Sequence, residues 1–389
     1  MILSITVYTL VGVMLFYFGW HYNKRFSLST EYHTTKQFLL SWEIIASFVL
    51  FSVITGLRHH TGWDHEYYIQ DYVQYQNEGT LFRPDFEPGF RLIETIFAKL
   101  GFHYSIFFGF LGFVNIFFIY FALRKNKEVI PWVGLLIMLG PYFLHLVNSL
   151  RQGIVECVFV SLILLANNRR YLLFLLCSLL LVSIHKVALL ILPILILAKF
   201  LTKFENNKHL FVAYITCFVI GQFPILISWT INGFSDVLAL FGYHKYVHLF
   251  NTNPQYGFHR CSFGVISITL IVIHLFLIYY YAKLREHYKG NKFFTICSSL
   301  SLIYVCYFVL VMNTSFYFKR PNELLLPFMV ITTAFLIVYL FKTKRFLQLA
   351  LFCSVNFSVA PFSVFKVGYL GLSDSTDFFH FIPLFFSAA

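Results

Sequence analysis

Long apolar runs recur from one end of this chain to the other, and they leave few folds open. They cover residues 2–20, 38–57, 102–123, 130–147, 149–166, 171–184, 187–201, 209–228, 262–282, 293–312, 321–341 and 346–362. About 20 such residues cross a bilayer as a helix, whereas a transmembrane barrel shows shorter segments of alternating polarity. The predicted fold is therefore all-α, a polytopic integral membrane protein with 10–12 transmembrane helices. The lower figure allows for 171–184 and 187–201 forming one broken unit. The run 378–388 is too short to span. With 12% charged residues and a mean hydropathy of +0.73, no segment supplies the surface of an appended soluble domain. Residues 1–389 read as a single transmembrane domain. The first run has no basic segment before it and no small-residue cleavage site after it, so it is expected to be a retained first helix.

The net charge of +12 does not point to nucleic acid, because the basic residues fall in short clusters between runs, as membrane topology requires. Connectors holding Lys24, Arg25, Lys36, Arg124, Lys125, Lys127, Arg169, Arg170 and their alternates carry 18 of the 29 Lys and Arg. The positive-inside rule places those connectors in the cytoplasm. The opposite, outward face then carries the two longest connectors, 58–101 and 229–261, which are expected to form the site, as long loops on a rigid scaffold commonly do. The seven cysteines lie almost wholly in apolar runs, with no CxxC or Cys/His spacing, and read as core residues. No Walker A motif, GxGxxG motif or internal repeat is present.

The connector 58–101 opens on a polar island. Asp64, Glu66, Asp71, Glu78, Asp85, Glu87 and Glu94 are seven of the chain's 17 carboxylates, and Arg58, Arg83 and Arg91 stand among them. Histidines and Asp64 cluster in HHTGWDH, but their spacing matches no helical metal-ligand pair, and no metal is expected. Most of the other island carboxylates are expected to be solvated loop.

Elsewhere, ionisable groups gather at outward helix ends. Arg151 lies one turn into a span beside Asn148 and Gln152, and a guanidinium there needs a partner or a wet cavity. Its planar fork suits phosphate or carboxylate. Glu156, five residues on, is expected to pair across to a neighbouring helix or, in the favoured reading, to neutralise an arginine. His185 stands beside Lys186 at the junction of two short spans and is a candidate general base. Lys319 and Arg320 precede Pro321, which suits a helix's first turn. The loop 229–261 is aromatic and basic (Tyr243, His244, Lys245, Tyr246, His248, Tyr256, His259, Arg260), a composition that suits sugar rings or an interfacial belt.

Four elements in this order resemble the EpsG family, a branch of the Wzy-type polysaccharide polymerases. They are Arg58-x3-Gly62-x-Asp64-x2-Tyr67, Glu87-Pro88-Gly89-Phe90, Asn148-x2-Arg151-Gln152, and His185 just before an apolar span. The Arg320 segment and the aromatic tail are similar as well. Where many relatives carry a small residue after the histidine, this chain has Lys186.

The resemblance implies a GT-C-like, metal-independent glycosyltransferase that uses no cofactor. It would join polysaccharide repeat units carried on undecaprenyl pyrophosphate at the outer face of the bacterial inner membrane. It also implies a membrane-lipid environment and a chain-length regulator protein as a candidate partner. Arg58, Arg151 and Arg320 would stabilise the leaving pyrophosphate, while His185, Asp64 and Glu87 compete as acceptor base. Tyr67, Asn148, Gln152 and Lys186 complete the expected site. The alternatives are an O-antigen ligase, a flippase or transporter, and an acyltransferase. A transporter would place its ionisable groups near the midplane and show paired repeats. An acyltransferase would need a larger cytoplasmic site.

Overall fold

The computed structural model describes residues 2–27, 34–59, 61, 64–204, 206–223, 264–314, 316–369 and 382–383. The expected sugar-facing loop 229–261 lies outside the described residues, as do Gly62, Cys261 and most of the tail 378–388. The helices run in chain order as α1 (Ile2–Ser27), α2 (Thr35–Leu39), α3 (Trp42–Gly56), α4 (His65–Glu78), α5 (Pro88–Lys99) and α6 (Tyr104–Leu123). They continue as α7 (Ile130–Leu139), α8 (Tyr142–Asn148), α9 (Leu150–Asn167), α10 (Tyr171–Val182), α11 (Ile191–Leu201) and α12 (Asn207–Gly221). The last six are α13 (Val265–His287), α14 (Lys292–Val311), α15 (Phe316–Glu323), α16 (Leu326–Lys342), α17 (Phe346–Phe357) and α18 (Val359–Tyr369).

The all-α, polytopic class holds. Among the described residues, seven helices are long and apolar enough to cross a membrane, and three shorter apolar helices (α3, α10, α12) accompany them. An eighth span exists if the bent pair Lys127–Leu139 and Tyr142–Asn148 is one crossing. Residues 130–147, which read as one run, break there by 62°. Pro141 causes the break: it lacks an N–H, and it forces Gly140 into an extended conformation (φ −89°, ψ −168°). A second break follows at Ser149 (φ −109°, ψ 63°), between α8 and α9. Non-helical backbone at such depth persists only where protein or a wet cavity satisfies it.

The chain divides into two compact units, 1–194 with 330–389, and 195–329. In the first, α6 packs between α3 and α9, and α1 lies along α7. The α3–α6 crossing depends on Gly56, where a Cβ would stand 2.5 Å from the Ser105 carbonyl oxygen. Small residues let helices approach closely where lipid gives apolar association no driving force. Leu172, Leu176, Leu179 and Leu180 of α10 stay exposed within the unit, as lipid-facing side chains do.

Two features of this unit depart from the reading of the sequence. The connector 58–101 folds into α4 and α5 rather than remaining loop. In addition, strand β1 (Arg58–His59) pairs antiparallel with β2 (Ile382–Pro383), Arg58 opposite Pro383, which draws part of the C-terminal tail to the start of the island.

In the second unit, α12 packs on α14. Asn207 bonds the Tyr279 carbonyl and the Ala282 N–H, and Asn313 caps the Gly221 carbonyl. Pro321 lies inside α15 rather than in a first turn, because that helix already begins at Phe316.

Candidate active site

The polar island becomes a structure because its two helices are amphipathic. On α4, His65, Tyr68 and Tyr72 recur at three- and four-residue spacing and are buried, while Tyr67 faces outward. Gly79 ends the helix in the left-handed conformation (φ +69°). On α5, Phe90, Glu94 and Ala98 form the buried stripe. Tyr68, Tyr72, Phe86 and Phe90 join Phe107, Phe108 and Leu111 of α6 and Leu150 and Ile154 of α9 in one apolar cluster. The cluster anchors the polar groups around it.

The Glu87-Pro88-Gly89-Phe90 motif is a docking device. Glu87 stands in extended backbone just before α5, and Pro88 occupies the first turn, where its missing N–H costs nothing. The amides of Gly89 and Phe90 both donate to the Ser183 carbonyl, at 2.7 and 3.2 Å. A Cβ on residue 89 would lie 2.2 Å from Ser183 Oγ and 2.8 Å from its carbonyl oxygen. Only glycine allows that approach. The approach brings Glu87 Oε1 to the Lys186 backbone N–H at 3.3 Å, while the Lys186 side chain itself is exposed.

Arg151 projects from the first turn of α9 into this assembly. It forms an ion pair with Glu87, and its Nε donates to Tyr68 Oη at 3.4 Å. Its guanidinium carbon lies 4.0 Å from the centre of the Phe86 ring. Arg91 and Arg83 approach the same ring, at 4.8 and 5.3 Å. Cations over aromatic faces are attracted by the ring quadrupole. Three on one ring need anions nearby.

Those anions are Asp71, Glu87 and Glu94; Glu78 and Asp85 are exposed, as expected of solvated groups, but Asp71 and Glu94 are buried and depart from that expectation. Asp71 and Glu94 are buried and both bind Arg91 Nη1, Glu94 at 2.6 Å. Asp71 Oδ1 also accepts the Arg83 backbone N–H at 2.6 Å. Burial pushes the Glu94 carboxyl up to about 8, with the neighbouring Asp71 charge acting in the same direction and Arg91 opposing it. Amphipathic folding of the island turned apparent surface charge into a buried network.

Arg58 is wholly buried immediately after α3. Its Nη1 donates to the Val147 carbonyl at 3.1 Å, and its guanidinium sits 5.4 Å from the Phe108 ring centre. Its Nε and Nη2 have no hydrogen-bond partner among the described residues. Burial pulls the group down to about 9, against the opposing influence of Tyr8 and Tyr68. Asn148 Oδ1 accepts the Asp64 backbone N–H at 3.1 Å, tying the start of α4 to the end of α8. Arg58, Asp64 and Asn148 thus meet at the α8–α9 break.

His185 Nδ1 accepts the Val187 N–H at 3.2 Å, capping the 3-10 turn Lys186–Leu190. In this arrangement the neutral ring carries its proton on Nε2. Gln152 is buried and donates to Glu156 Oε1 at 3.0 Å, and His145 Nε2 bonds the same oxygen at 2.7 Å. Glu156 therefore serves His145 and Gln152, contrary to the expectation that it neutralises an arginine. Five residues advance a helix by about 140°, so Arg151 and Glu156 face different neighbours. Arg320 lies on α15 in the second unit and is half-buried.

Sequence reasoning missed Tyr68, Phe86, Arg83 and His145. The i, i+4 pair Tyr68–Tyr72 and the Phe86–Phe90 spacing were available as signals of buried helix faces, but the density of charge concealed them.

The EpsG family model matches residues 42–373, most of the chain. No curated protein and no solved structure matches it. The chain belongs to the EpsG family, whose members are Wzy-like polysaccharide polymerases.

Proposed function

From membership in that family, we propose that this protein is a glycosyltransferase that polymerises repeat units carried on undecaprenyl pyrophosphate. The reaction would take place at the outer face of the bacterial inner membrane. The acceptor sugar's hydroxyl oxygen attacks the anomeric carbon of the donor's first sugar. The bond from that carbon to the pyrophosphate oxygen breaks, and the hydroxyl proton passes to a base. Undecaprenyl pyrophosphate departs with the bonding electron pair.

The observation that carries this reading is the convergence of Arg151 with Glu87, Tyr68 and Phe86 at the head of α9. A departing pyrophosphate needs cationic donors held in place before charge develops, and preorganised donors are worth most where water is excluded. Glu87 holds the Arg151 fork in one orientation. Arg58, buried beside the same break with two nitrogens that find no acceptor among the described residues, is a second cation for the pyrophosphate to meet. A polyprenyl tail remains in lipid while its head group reaches this polar mouth. We assign the acceptor base to His185 or Asp64, and acceptor or donor contacts to Tyr67, Asn148, Gln152 and Lys186; a cationic role for Arg320 is proposed from the family resemblance alone. Glu87 is committed to Arg151 and the Lys186 amide, so it acts by positioning. No metal or cofactor is invoked, and a chain-length regulator is the proposed protein partner.

Deleting the gene and restoring it on a plasmid tests the reading. A polymerase defect collapses the surface-polysaccharide ladder to a single repeat unit. Loss of every repeat points instead to a ligase or flippase, and an unchanged ladder refutes the proposal. Arg151→Ala should reproduce the deletion with normal protein levels. Full activity of Arg151→Lys would refute the bidentate role of the guanidinium.

A further inference from the structure

Arg91, Arg151 and Arg83 share the Phe86 ring, but they are held very differently. Arg91 is locked by two buried carboxylates and the Arg83 carbonyl. Arg151 is paired with Glu87, itself almost wholly buried. Among the described residues the Arg83 guanidinium has one hydrogen-bonded partner, Asp85, through a two-pronged contact from Nε (3.1 Å) and Nη2 (3.3 Å), beside the rings of Phe86 and Tyr67. Its side chain is 34% exposed, and that of Asp85 is 55% exposed.

A fork contact of this kind is the geometry a guanidinium uses for a phosphate, and Asp85 offers the same pair of oxygens. An exposed pair of this kind exchanges partners cheaply, because solvent screens it in either state. Exchange at Arg91 would strand buried carboxylates. The Arg83 and Arg151 guanidinium carbons both lie within 5.3 Å of one ring centre, so a single diphosphate can touch both. The Arg83 backbone is fixed independently by its N–H bond to Asp71 at 2.6 Å. The side chain can therefore change partner without moving the chain.

We propose that Arg83 and Arg151 form a clamp for the pyrophosphate of a prenyl-linked donor, with Asp85 occupying the Arg83 fork until the ligand displaces it. The clamp rests on the polymerase reading for the identity of its ligand, but its binding is measurable without polymerisation.

The test is binding of farnesyl pyrophosphate and of inorganic pyrophosphate to the purified full-length protein in detergent, with melting temperature followed in parallel. Arg83→Gln should weaken farnesyl pyrophosphate binding by about 10- to 100-fold, the loss expected for a charge-assisted contact. Asp85→Asn should tighten it several-fold, because the competing carboxylate is gone. Both variants should melt as the wild type does. If Arg83 and Asp85 form only a structural bridge, both substitutions lower the melting temperature alike and neither changes affinity selectively. That result, wild-type affinity in Arg83→Gln, weaker binding in Asp85→Asn, or no saturable binding by the wild type would each overturn the proposal. Equal affinity for the inorganic and farnesyl forms would overturn the lipid-borne assignment. An unchanged ladder on gene deletion, alongside Arg83-dependent binding, would refute the polymerase reading and leave the clamp standing.

Discussion

A guanidinium with no exposed surface, and with two nitrogens lacking acceptors, costs a fold stability, and among the described residues Arg58 is such a group. Replacing it with a side chain of similar length and no charge removes that cost. Arg58→Met is therefore expected to melt at the wild-type temperature or above it, while the polysaccharide ladder is lost. A melting curve beside a gel checks both halves, and a large fall in melting temperature would make Arg58 a structural residue. The Arg91 network gives the opposite case. One buried cation there faces two carboxylates, Asp71 and Glu94. Glu94 is raised to about 8, and the wholly buried Asp71 is the other carboxylate bound to Arg91. Asp71→Asn should cost about 3–5 kcal/mol by stranding Arg91, whereas Glu94→Gln should cost under about 1 kcal/mol. The sign of the pH effect follows from the raised value. The folded state favours the protonated Glu94 carboxyl, so its contribution is complete below the ordinary carboxyl range and is lost as pH rises through about 8. Glu94→Gln should flatten that part of the stability profile, measured by denaturant unfolding in detergent.

The elements α4 and α5 show how far the island could be read in advance. Its unusual charge was plain, and the Glu87-Pro88-Gly89-Phe90 motif and the Asn148-x2-Arg151-Gln152 motif both proved to lie at one assembly. Their mutual contact was not legible, because it depends on an α5 N-terminus resting on Ser183, nearly a hundred residues away. Glu156 was misassigned for a related reason: its partner His145 lies across the Ser149 break. A periodicity argument cannot carry a helix face through a break. The docking contact makes a sharp prediction. Gly89→Ala should lift α5 from Ser183, cost about 1–3 kcal/mol through overpacking and abolish polymer by displacing Glu87 from Arg151. Adding Ser183→Gly removes the hydroxyl that a new methyl group would strike at 2.2 Å but leaves the carbonyl at 2.8 Å. The double variant should regain part of the stability and part of the ladder, and an absence of any coupling between the two changes would refute the contact.

For the molecule as a whole, the recurrence of apolar runs was enough to define an all-α membrane protein, because the bilayer permits so few spanning structures. The finer plan was less accessible. The run 130–147 concealed a 62° bend, and the pairing of Arg58–His59 with Ile382–Pro383 joins segments more than three hundred residues apart. Orientation rests on the distribution of Lys and Arg, and it decides whether the arginine cluster meets substrate outside the cell. The positive-inside rule places the α4–α5 connector, where Thr80 is exposed, on the outer side. It places the tight turn at Lys344, with φ +57°, on the inner side. In a background with its seven cysteines replaced, Thr80→Cys should react with a membrane-impermeant maleimide on intact spheroplasts, and Lys344→Cys only after permeabilisation. The reverse pattern would put Arg151 and its neighbours on the cytoplasmic face, where a lipid-linked repeat unit awaiting polymerisation would not meet them. Labelling of both positions in intact spheroplasts would mean that the connectors do not alternate across the bilayer as the basic residues indicate, and the assignment of an outer catalytic face would fall with it.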